Sequence, residues 1–239
     1  MPQKDRARVL IAGGGVAAIE TLLALREHVG HRVELTLLSP EREFLYRPVT
    51  VAEAFGRGEA RAYALGELVV NRAGARLIWD SLESVEPPEH IAVTGTGERI
   101  PYDILVVAVG AIAVEPLPGA LTFRGRGDVG PLRELLADLV GGRAGSVALA
   151  LPSERTWPLP LYELALMTAS HLRQHGSDAE VWLVTPEAEP LELFGPAGSQ
   201  AIEQMLTARG VRLRTSSRPE LVRRAALVLA GAGQVDVDG

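Results

Sequence analysis

A glycine-rich turn near the amino terminus carries the clearest chemical pattern of the chain. Gly13, Gly15 and Ala18 follow the apolar residues 9–12 and precede a run of small and apolar residues that is typical of a helix. The first glycine permits a tight turn, the second lets the backbone approach a pyrophosphate, and Ala18 lets the helix pack closely on the strand. A helix that begins here also presents free N–H groups to a phosphate. The turn therefore predicts a dinucleotide-binding site, against the alternative of a purely structural turn.

The end of the second predicted strand departs from the usual pattern of such a site. An acidic residue that binds a ribose hydroxyl is expected there, whereas this chain has Ser39, followed by Pro40 and Glu41. Either Ser39 makes a weaker hydrogen bond to the ribose or Glu41 reaches back to it, and Glu41 could equally be a solvated loop carboxylate. Arg42 could meet a 2′-phosphate or face solvent, so these residues do not choose between dinucleotides.

Apolar runs rich in β-forming residues alternate with helical patterns along the whole chain, which predicts an α/β protein with a mainly parallel sheet. The predicted strands are 9–12, 33–39, 76–80, 102–111, 147–151, 180–185 and 211–214. The predicted helices are 16–29, 64–72, 128–140, 161–175 and 200–209, with Asp128 capping its helix. Three short β segments between 82 and 101 predict a small antiparallel meander. We expect two tandem Rossmann-like modules, of the FAD- or NAD(P)-binding type, over residues 1–115 and 131–239, joined by a linker at 116–130.

Composition excludes several functional classes. The absence of cysteine excludes disulfides, thiolate metal sites and catalytic thiols. A net charge of −6 without a basic, aromatic patch gives no indication of nucleic-acid binding. The longest apolar run, 104–114, is half of the roughly 20 residues that a membrane-spanning helix needs, and no signal peptide is recognisable before the first strand, so we expect a cytoplasmic protein. His171 and His175 lie four residues apart, but without an HExxH pattern we interpret them as a polar helix end and predict no metal site.

Three stretches taken together resemble the two-dinucleotide-domain flavoproteins, the FAD-dependent pyridine nucleotide-disulfide oxidoreductase superfamily. They are the turn GGGVAAIE, the loop REFLYRP after the second strand, and ERIPYDILVVAVGA after the meander. The most similar branch holds sulfide:quinone reductase, flavocytochrome c sulfide dehydrogenase and type II NADH dehydrogenase. The stretches PLPLYELALMTASHLRQHG and VWLVTPEAEPLELFG are similar to the second module of the sulfide-oxidising members. The resemblance thus covers nearly the whole chain and implies an oxidoreductase with FAD as its cofactor.

The resemblance also implies which residues bind that FAD. At the pyrophosphate and the adenosine it places Gly13, Gly15, Ala18, Ser39 or Glu41, and the backbone of Leu82. Beside the flavin it places Arg47, Pro48 and Gly110, with Val109 in place of the usual threonine. Trp157 either packs at the interface of the modules or lies over the flavin.

Departures from the family pattern limit what the resemblance implies. Without cysteine, the route by which the sulfide-oxidising branch attacks its substrate is excluded. The stretch LPSERTWPLPLYE stands where a second glycine-rich turn would hold NAD(P)H; its prolines remove N–H donors and Glu154 repels a pyrophosphate. In this family a Gly-Asp motif completes the FAD domain, and a C-terminal domain carries quinone contacts. Neither is found before Gly239. We interpret the sequence as the N-terminal two-thirds of such an enzyme, or as a gene that ends early.

The sequence leaves several functions to be compared. We favour an FAD-binding oxidoreductase module that exchanges electrons with a small-molecule or quinone-like partner, and we assign no catalytic acid, base or nucleophile. The alternative is a truncated or degenerate, non-catalytic scaffold that pairs with another chain, as a homodimer or with a separately encoded C-terminal half. An NAD(P)-binding regulator would fit the first turn but not the loop REFLYRP.

Overall fold

The computed structural model describes residues 6–111, 117–231 and 233–238. The chain divides into two compact units. The first unit comprises Met1–Tyr46 and Arg61–Ile112, and the second comprises Arg47–Ala60 and Ala113–Gly239. Residue 116, the first of the predicted linker at 116–130, and the chain end at Gly239 lie outside the described residues. The α/β fold with two modules that contain parallel sheets confirms the predicted fold class.

A parallel sheet of four strands forms the centre of the first unit. The strands of this unit are β1 (Ala7–Ala12), β2 (Val33–Leu38), β3 (Glu43–Leu45), β4 (Ala62–Ala64), β5 (Arg76–Ile78), β6 (Leu82–Glu86), β7 (Ile91–Thr94), β8 (Arg99–Pro101) and β9 (Ile104–Val107). The parallel sheet has the order β5–β2–β1–β9, and β1 pairs with β2 from Ala7 opposite Val33 to Ala12 opposite Leu38. All four strands therefore end at the same edge of the sheet.

Helix α1 (Val16–Val29) covers one face of this sheet. Its buried residues Ala18, Ile19 and Leu22 belong to the same apolar cluster as Val9 and Ile11 of β1. Small and apolar residues at helical spacing form this inner face, as the sequence predicted. The helix ends at Gly30, whose φ of 63° is a conformation that glycine adopts without strain.

Two smaller sheets complete the first unit. Strands β6, β7 and β8 form the predicted antiparallel meander. Strands β3 and β4 form a separate antiparallel pair, so the stretch after β2 is not the continuous loop that we expected. Ala64 lies in β4, and the predicted helix after it is a π-helix at Glu67–Arg72.

The second unit repeats the alternation of strands and helices. Its elements are α2 (Thr50–Glu53), α3 (Val129–Val140), β10 (Ser146–Ala150), α4 (Leu159–Gln174), β11 (Glu180–Val184), α5 (Gly195–Thr207), β12 (Arg212–Arg214), β13 (Pro219–Arg223), β14 (Ala226–Leu229) and β15 (Gly233–Asp236). Strands β10, β11 and β12 form a parallel sheet, and β13, β14 and β15 form an antiparallel one. The sequence did not predict the antiparallel sheet. No helix of the described part of the chain has the length and apolar character needed to cross a membrane.

Helix α2 explains why residues 47–60 belong to the second unit. Its Val51, and Ala54 just after it, pack in one apolar cluster with Leu132 of α3 and Leu164 of α4. The Arg133 side chain donates a hydrogen bond of 2.7 Å to the Glu53 carbonyl. These contacts join residues that are about 80 or more positions apart, so local sequence patterns could not predict them.

The predicted role of Asp128 is wrong in one respect. Asp128 occupies the N-cap position of α3, but its side chain makes no capping hydrogen bond to that helix. Its Oδ2 instead accepts a hydrogen bond of 2.6 Å from the backbone N–H of Arg124. The carboxylate therefore stabilises the turn before the helix.

Candidate functional site

The turn after β1 can be built only with glycine at its first position. Gly13 has a φ of 130°, and its N–H donates a hydrogen bond of 2.8 Å to the carbonyl of Leu38, at the end of β2. A Cβ at Gly13 would collide with the carbonyl of Ala108, just beyond β9. Gly13 therefore lets the chain turn between the ends of two neighbouring strands.

Gly15 has a different role from Gly13. It is the N-cap of α1, its backbone is extended, and its carbonyl accepts a hydrogen bond of 3.0 Å from Ile19 N–H. Apart from Gly15 itself and its two neighbours in the chain, no described atom lies within 4 Å of the position that a Cβ would take, so space is open at this end of the helix. Within the described chain, no side chain caps α1 and no acidic residue lies in its first turn. The free N–H groups of this turn and the open space beside Gly15 fit a phosphate group.

Ser39 and Glu41 lie beside this turn, at the end of β2. Ser39 is fully buried, and a Cβ at Gly14 would collide with its hydroxyl oxygen. That Oγ accepts a hydrogen bond of 3.2 Å from the backbone N–H of Glu41, whereas the residue Glu41 itself is exposed. Of these two candidates for the ribose, only Glu41 extends into solvent.

The other predicted cofactor-binding residues divide between the units. In the first unit, Leu82 begins β6, and Gly110 follows β9 with a φ of 74° in an exposed position. Arg47 and Pro48 belong to the second unit, where they form an exposed 3₁₀ turn before α2. The Thr50 hydroxyl donates a hydrogen bond of 2.7 Å to the Arg47 carbonyl, which fixes that turn. The structure thus brings Gly13, Gly15 and Ser39 together, and their contact with a cofactor stays a prediction.

The turn after β10 in the second unit, unlike the glycine turn after β1, does not suit a phosphate group. It lines a cavity of about 520 Å³ together with residues that follow β11. The charged residues of the lining are Glu154, Arg155, Glu187 and Glu192. Helix α4 begins after Pro158 and has Pro160 in its first turn, so N–H donors are missing where a phosphate would bind. Three carboxylates against one guanidinium disfavour a pyrophosphate in this cavity.

Glu187 is held in place by two hydroxyl groups. Its Oε2 accepts hydrogen bonds from Tyr162 (2.6 Å) and from Thr185 (2.8 Å). Tyr162 is fully buried, and its oxygen accepts a hydrogen bond of 3.3 Å from the backbone N–H of Leu191. Burial, and then the hydrogen bond to Glu187, raise the pKa of Tyr162. This network joins α4 to the segment after β11.

Asp103, which precedes β9, is held as an ion. The backbone N–H of Arg8 donates to its Oδ2 at 2.7 Å, and the Arg8 guanidinium lies 2.9 Å from its Oδ1. The hydrogen bond from the Arg8 side chain, more than any other contact, lowers the pKa of Asp103 to about 2. A carboxyl group with this pKa is a poor acid–base catalyst near neutral pH.

His171 and His175 lie close together on α4, as their spacing predicted. Their ring centroids are 4.2 Å apart, and burial followed by the neighbouring His175 lowers the pKa of His171. Across the described residues, no group of three or more potential metal ligands is found.

Sequence reasoning missed two residues that lie at the same edge of the parallel sheet as the glycine turn of the first unit. The carbonyl of Ala108 stands against Gly13, and Trp79 follows directly after β5. Both are separated from the glycine turn by more than 60 residues, and only the strand order brings them to the same edge. The signal available in the sequence was a tryptophan at the fourth of the five residues of the predicted strand 76–80.

Comparison with known proteins identifies relatives of this chain. The family described as pyridine nucleotide-disulphide oxidoreductase matches residues 7–142. The chain is similar to the sulfide-quinone reductase of Aquifex aeolicus, with 27% identity over 205 residues, which are 83% of this chain and 47% of that protein. It is also similar to the mitochondrial sulfide:quinone oxidoreductase of Mus musculus, with 26% identity over 107 residues, or 45% of this chain and 24% of that protein.

Solved structures show the same fold. The sulfide:quinone oxidoreductase of Aquifex aeolicus superposes with a TM-score of 0.83 at 22% identity, over 97% of this chain and 56% of that one. NDH2 of Plasmodium falciparum, solved in complex with NADH, superposes with a TM-score of 0.72 at 13% identity, over 97% of this chain and 54% of that one. This chain spans about half of the length of the Aquifex aeolicus relative.

Proposed function

The chain belongs to the pyridine nucleotide-disulphide oxidoreductase family, and from that premise we propose that its first unit binds FAD and serves electron transfer. A bound flavin supplies the redox chemistry, and the protein binds and orients it. The observation that carries the proposal is the open, uncapped turn at Gly15, which lies at the strand edge where dinucleotides bind in this fold.

The chain's own residues have distinct roles in this proposal. Gly13 shapes the turn, Gly15 admits the pyrophosphate, and Ala18 lets α1 pack on β1. Glu41, or Ser39 through its hydroxyl, binds the adenosine ribose. These roles come from the residues' positions at one edge of one sheet.

The remaining cofactor contacts follow from the family resemblance. The backbone of Leu82 binds the adenine, and Gly110 closes the site. Arg47 and Pro48 line the flavin. No described residue is proposed as a catalytic acid, base or nucleophile.

The electron partner is proposed to be a small molecule or a quinone. The names of the relatives in Aquifex aeolicus and mouse support a quinone. The acidic, proline-containing turn after β10 makes NAD(P)H binding in the second unit unfavourable. Because the chain has no cysteine, a cysteine-dependent oxidation of sulfide is not part of the proposal.

A second candidate function is a non-catalytic scaffold that pairs with another chain. The observation that favours it is β9, which forms an edge of the described parallel sheet. Ile104 and Val107 of this strand are 51% and 58% exposed, and Val109 beyond it is 58% exposed. Exposed apolar side chains on an edge strand, which has one side free of a neighbouring strand, form a surface to which a second polypeptide can bind.

An absorption spectrum of the purified chain, before and after incubation with excess FAD and desalting, separates the two functions. The oxidoreductase predicts a stoichiometric flavin band that Gly15→Glu abolishes, because a carboxylate there fills the space and repels the pyrophosphate. A colourless protein in both samples would favour the scaffold. Competition between FAD and NADH for the free protein tests whether the first turn prefers a nicotinamide dinucleotide.

A further inference from the structure

The first unit carries an arginine–tryptophan pair that the proposed function does not use. Trp79 follows β5 directly, and Arg42 lies three residues after Ser39, beyond the end of β2. The Arg42 Cζ atom is 5.2 Å from the centroid of the Trp79 ring. A guanidinium at this distance from an indole makes a cation–π interaction, so the two side chains support each other.

This pair lies where the adenosine end of a dinucleotide would be. In the strand order β5–β2–β1–β9, the glycine turn follows β1 and Trp79 follows β5, at the same edge of the sheet. Two interstrand spacings, about 10 Å in total, separate the ends of these strands. A ribose and a base span such a distance from a pyrophosphate that is bound at the glycine turn.

The side chains of Trp79 and Arg42 can both contact a ligand. Trp79 is 42% exposed, so part of its ring remains accessible beside Arg42. The Arg42 backbone is fixed, since its carbonyl accepts a hydrogen bond of 2.9 Å from the N–H of the buried Leu65. Among the described residues, the Arg42 guanidinium has no ion pair and no hydrogen bond, and its N–H donors can therefore bind ligand oxygens.

The same edge lacks the ribose contact that this fold commonly uses. A carboxylate is expected at the end of β2, but the residue there is Ser39, which is fully buried and accepts the Glu41 N–H. Glu41, which the proposed function places at the ribose, lies two residues beyond that position, so further side chains at this edge can add binding energy for the adenosine half of a ligand.

We propose that Trp79 and Arg42 form an adenosine-binding platform in the first unit. The adenine stacks on the accessible part of the Trp79 ring. Arg42, held by the same ring, donates hydrogen bonds to the oxygens of the ribose or of the adjacent phosphate. The inference rests on the proposed function, because it takes the ligand of the first unit to be FAD.

Affinities for FAD and for ADP, measured by calorimetry on the full chain, test the platform. ADP carries the adenosine and the pyrophosphate without the flavin, so its affinity reports on the platform and the glycine turn without any flavin contact. Stacking of a base on an aromatic side chain predicts that Trp79→Ala weakens both ligands by about ten- to a hundredfold. Trp79→Phe keeps a smaller ring and should weaken them less. Arg42→Ala should weaken both several-fold.

The chain offers a matched control in a second arginine–tryptophan pair. The Arg212 Cζ atom is 5.1 Å from the centroid of the Trp182 ring, on neighbouring strands of the second unit. Arg212→Ala removes a similar cation–π contact, together with the Arg212–Glu180 ion pair, away from the proposed platform, so both affinities should stay unchanged. Thermal unfolding without ligand verifies that Trp79→Ala is folded, and Trp79→Phe provides the comparison if it is not.

The outcomes separate the platform from the flavin proposal. Unchanged affinities for both ligands in Trp79→Ala and Trp79→Phe overturn the platform and leave the FAD proposal intact. A wild-type chain that binds ADP but not FAD contradicts the FAD proposal, and the ADP affinities of the variants then decide on the platform. A wild-type chain that binds neither ligand overturns both.

Discussion

Gly13→Ala tests whether the glycine turn is required by the fold itself. A φ of 130° is strained for any residue with a Cβ, at a cost of about 1–3 kcal/mol. The new Cβ would also collide with the Ala108 carbonyl, and forcing the end of β9 to shift adds about 1–3 kcal/mol. We therefore expect the free energy of unfolding to fall by about 2–6 kcal/mol, before any ligand is considered.

Gly15→Ala is the matched variant, two residues away. Its φ of −86° suits alanine and its Cβ position is open, so the only expected cost is the poorer N-cap, about 1 kcal/mol. The open space is, however, where the pyrophosphate approaches. Loss of one hydrogen bond to a charged phosphate costs about 1.5–3 kcal/mol, which weakens FAD binding by about ten- to 150-fold.

Urea unfolding of the ligand-free variants, followed by an FAD titration of the folded ones, measures the two effects separately. The expected pattern is a loss of stability for Gly13→Ala and a loss of affinity with nearly unchanged stability for Gly15→Ala. Our assignment of roles would be refuted if Gly13→Ala were as stable as the wild type. It would also be refuted if Gly15→Ala lost more than about 2 kcal/mol of stability while binding FAD normally.

Further predictions concern groups outside the glycine turn. Tyr162→Phe removes one of the two hydroxyl donors to the buried Glu187 and should lower the free energy of unfolding by about 1–3 kcal/mol; a change below about 0.5 kcal/mol in urea unfolding would contradict the network. The Arg8 contacts lower the pKa of Asp103 from 3.8 to about 2, so they stabilise the fold above about pH 4, and this contribution is lost as the pH falls towards 2. Asp103→Asn should therefore be less stable than the wild type at pH 7, by a difference that shrinks near pH 2; an equal difference at both pH values would argue against the ion pair. The scaffold alternative predicts that Val107→Glu, on the exposed β9 edge, lowers self-association in sedimentation analysis, and unchanged association would remove that edge from consideration.

Local sequence patterns predicted the strands and the helix that hold the site. They did not predict the contacts between residues that are far apart in the chain. Helix α1 has the bounds that the sequence indicated, because small and apolar residues at helical spacing are bounded by Gly15 and Gly30. The assignment of helix α2 to the second unit was missed, since its partners lie on α3 and α4, far along the chain. The pairing of Arg42 with Trp79 was missed for the same reason, because strand order rather than spacing brings them together.

The two units show why a shared succession of strand, turn and helix does not give a shared ligand. After β1 the chain turns through glycines into a helix whose first turn has no side-chain cap and no acidic residue. After β10 it turns through Glu154 and Pro158 into a helix with Pro160 in its first turn. A phosphate would meet hydrogen-bond donors in the first case, and missing donors and negative charge in the second. Residues at the turn, more than the sheet beneath it, thus decide which unit can bind a dinucleotide, and we expect FAD binding to respond to substitutions at Gly15 and not at Glu154.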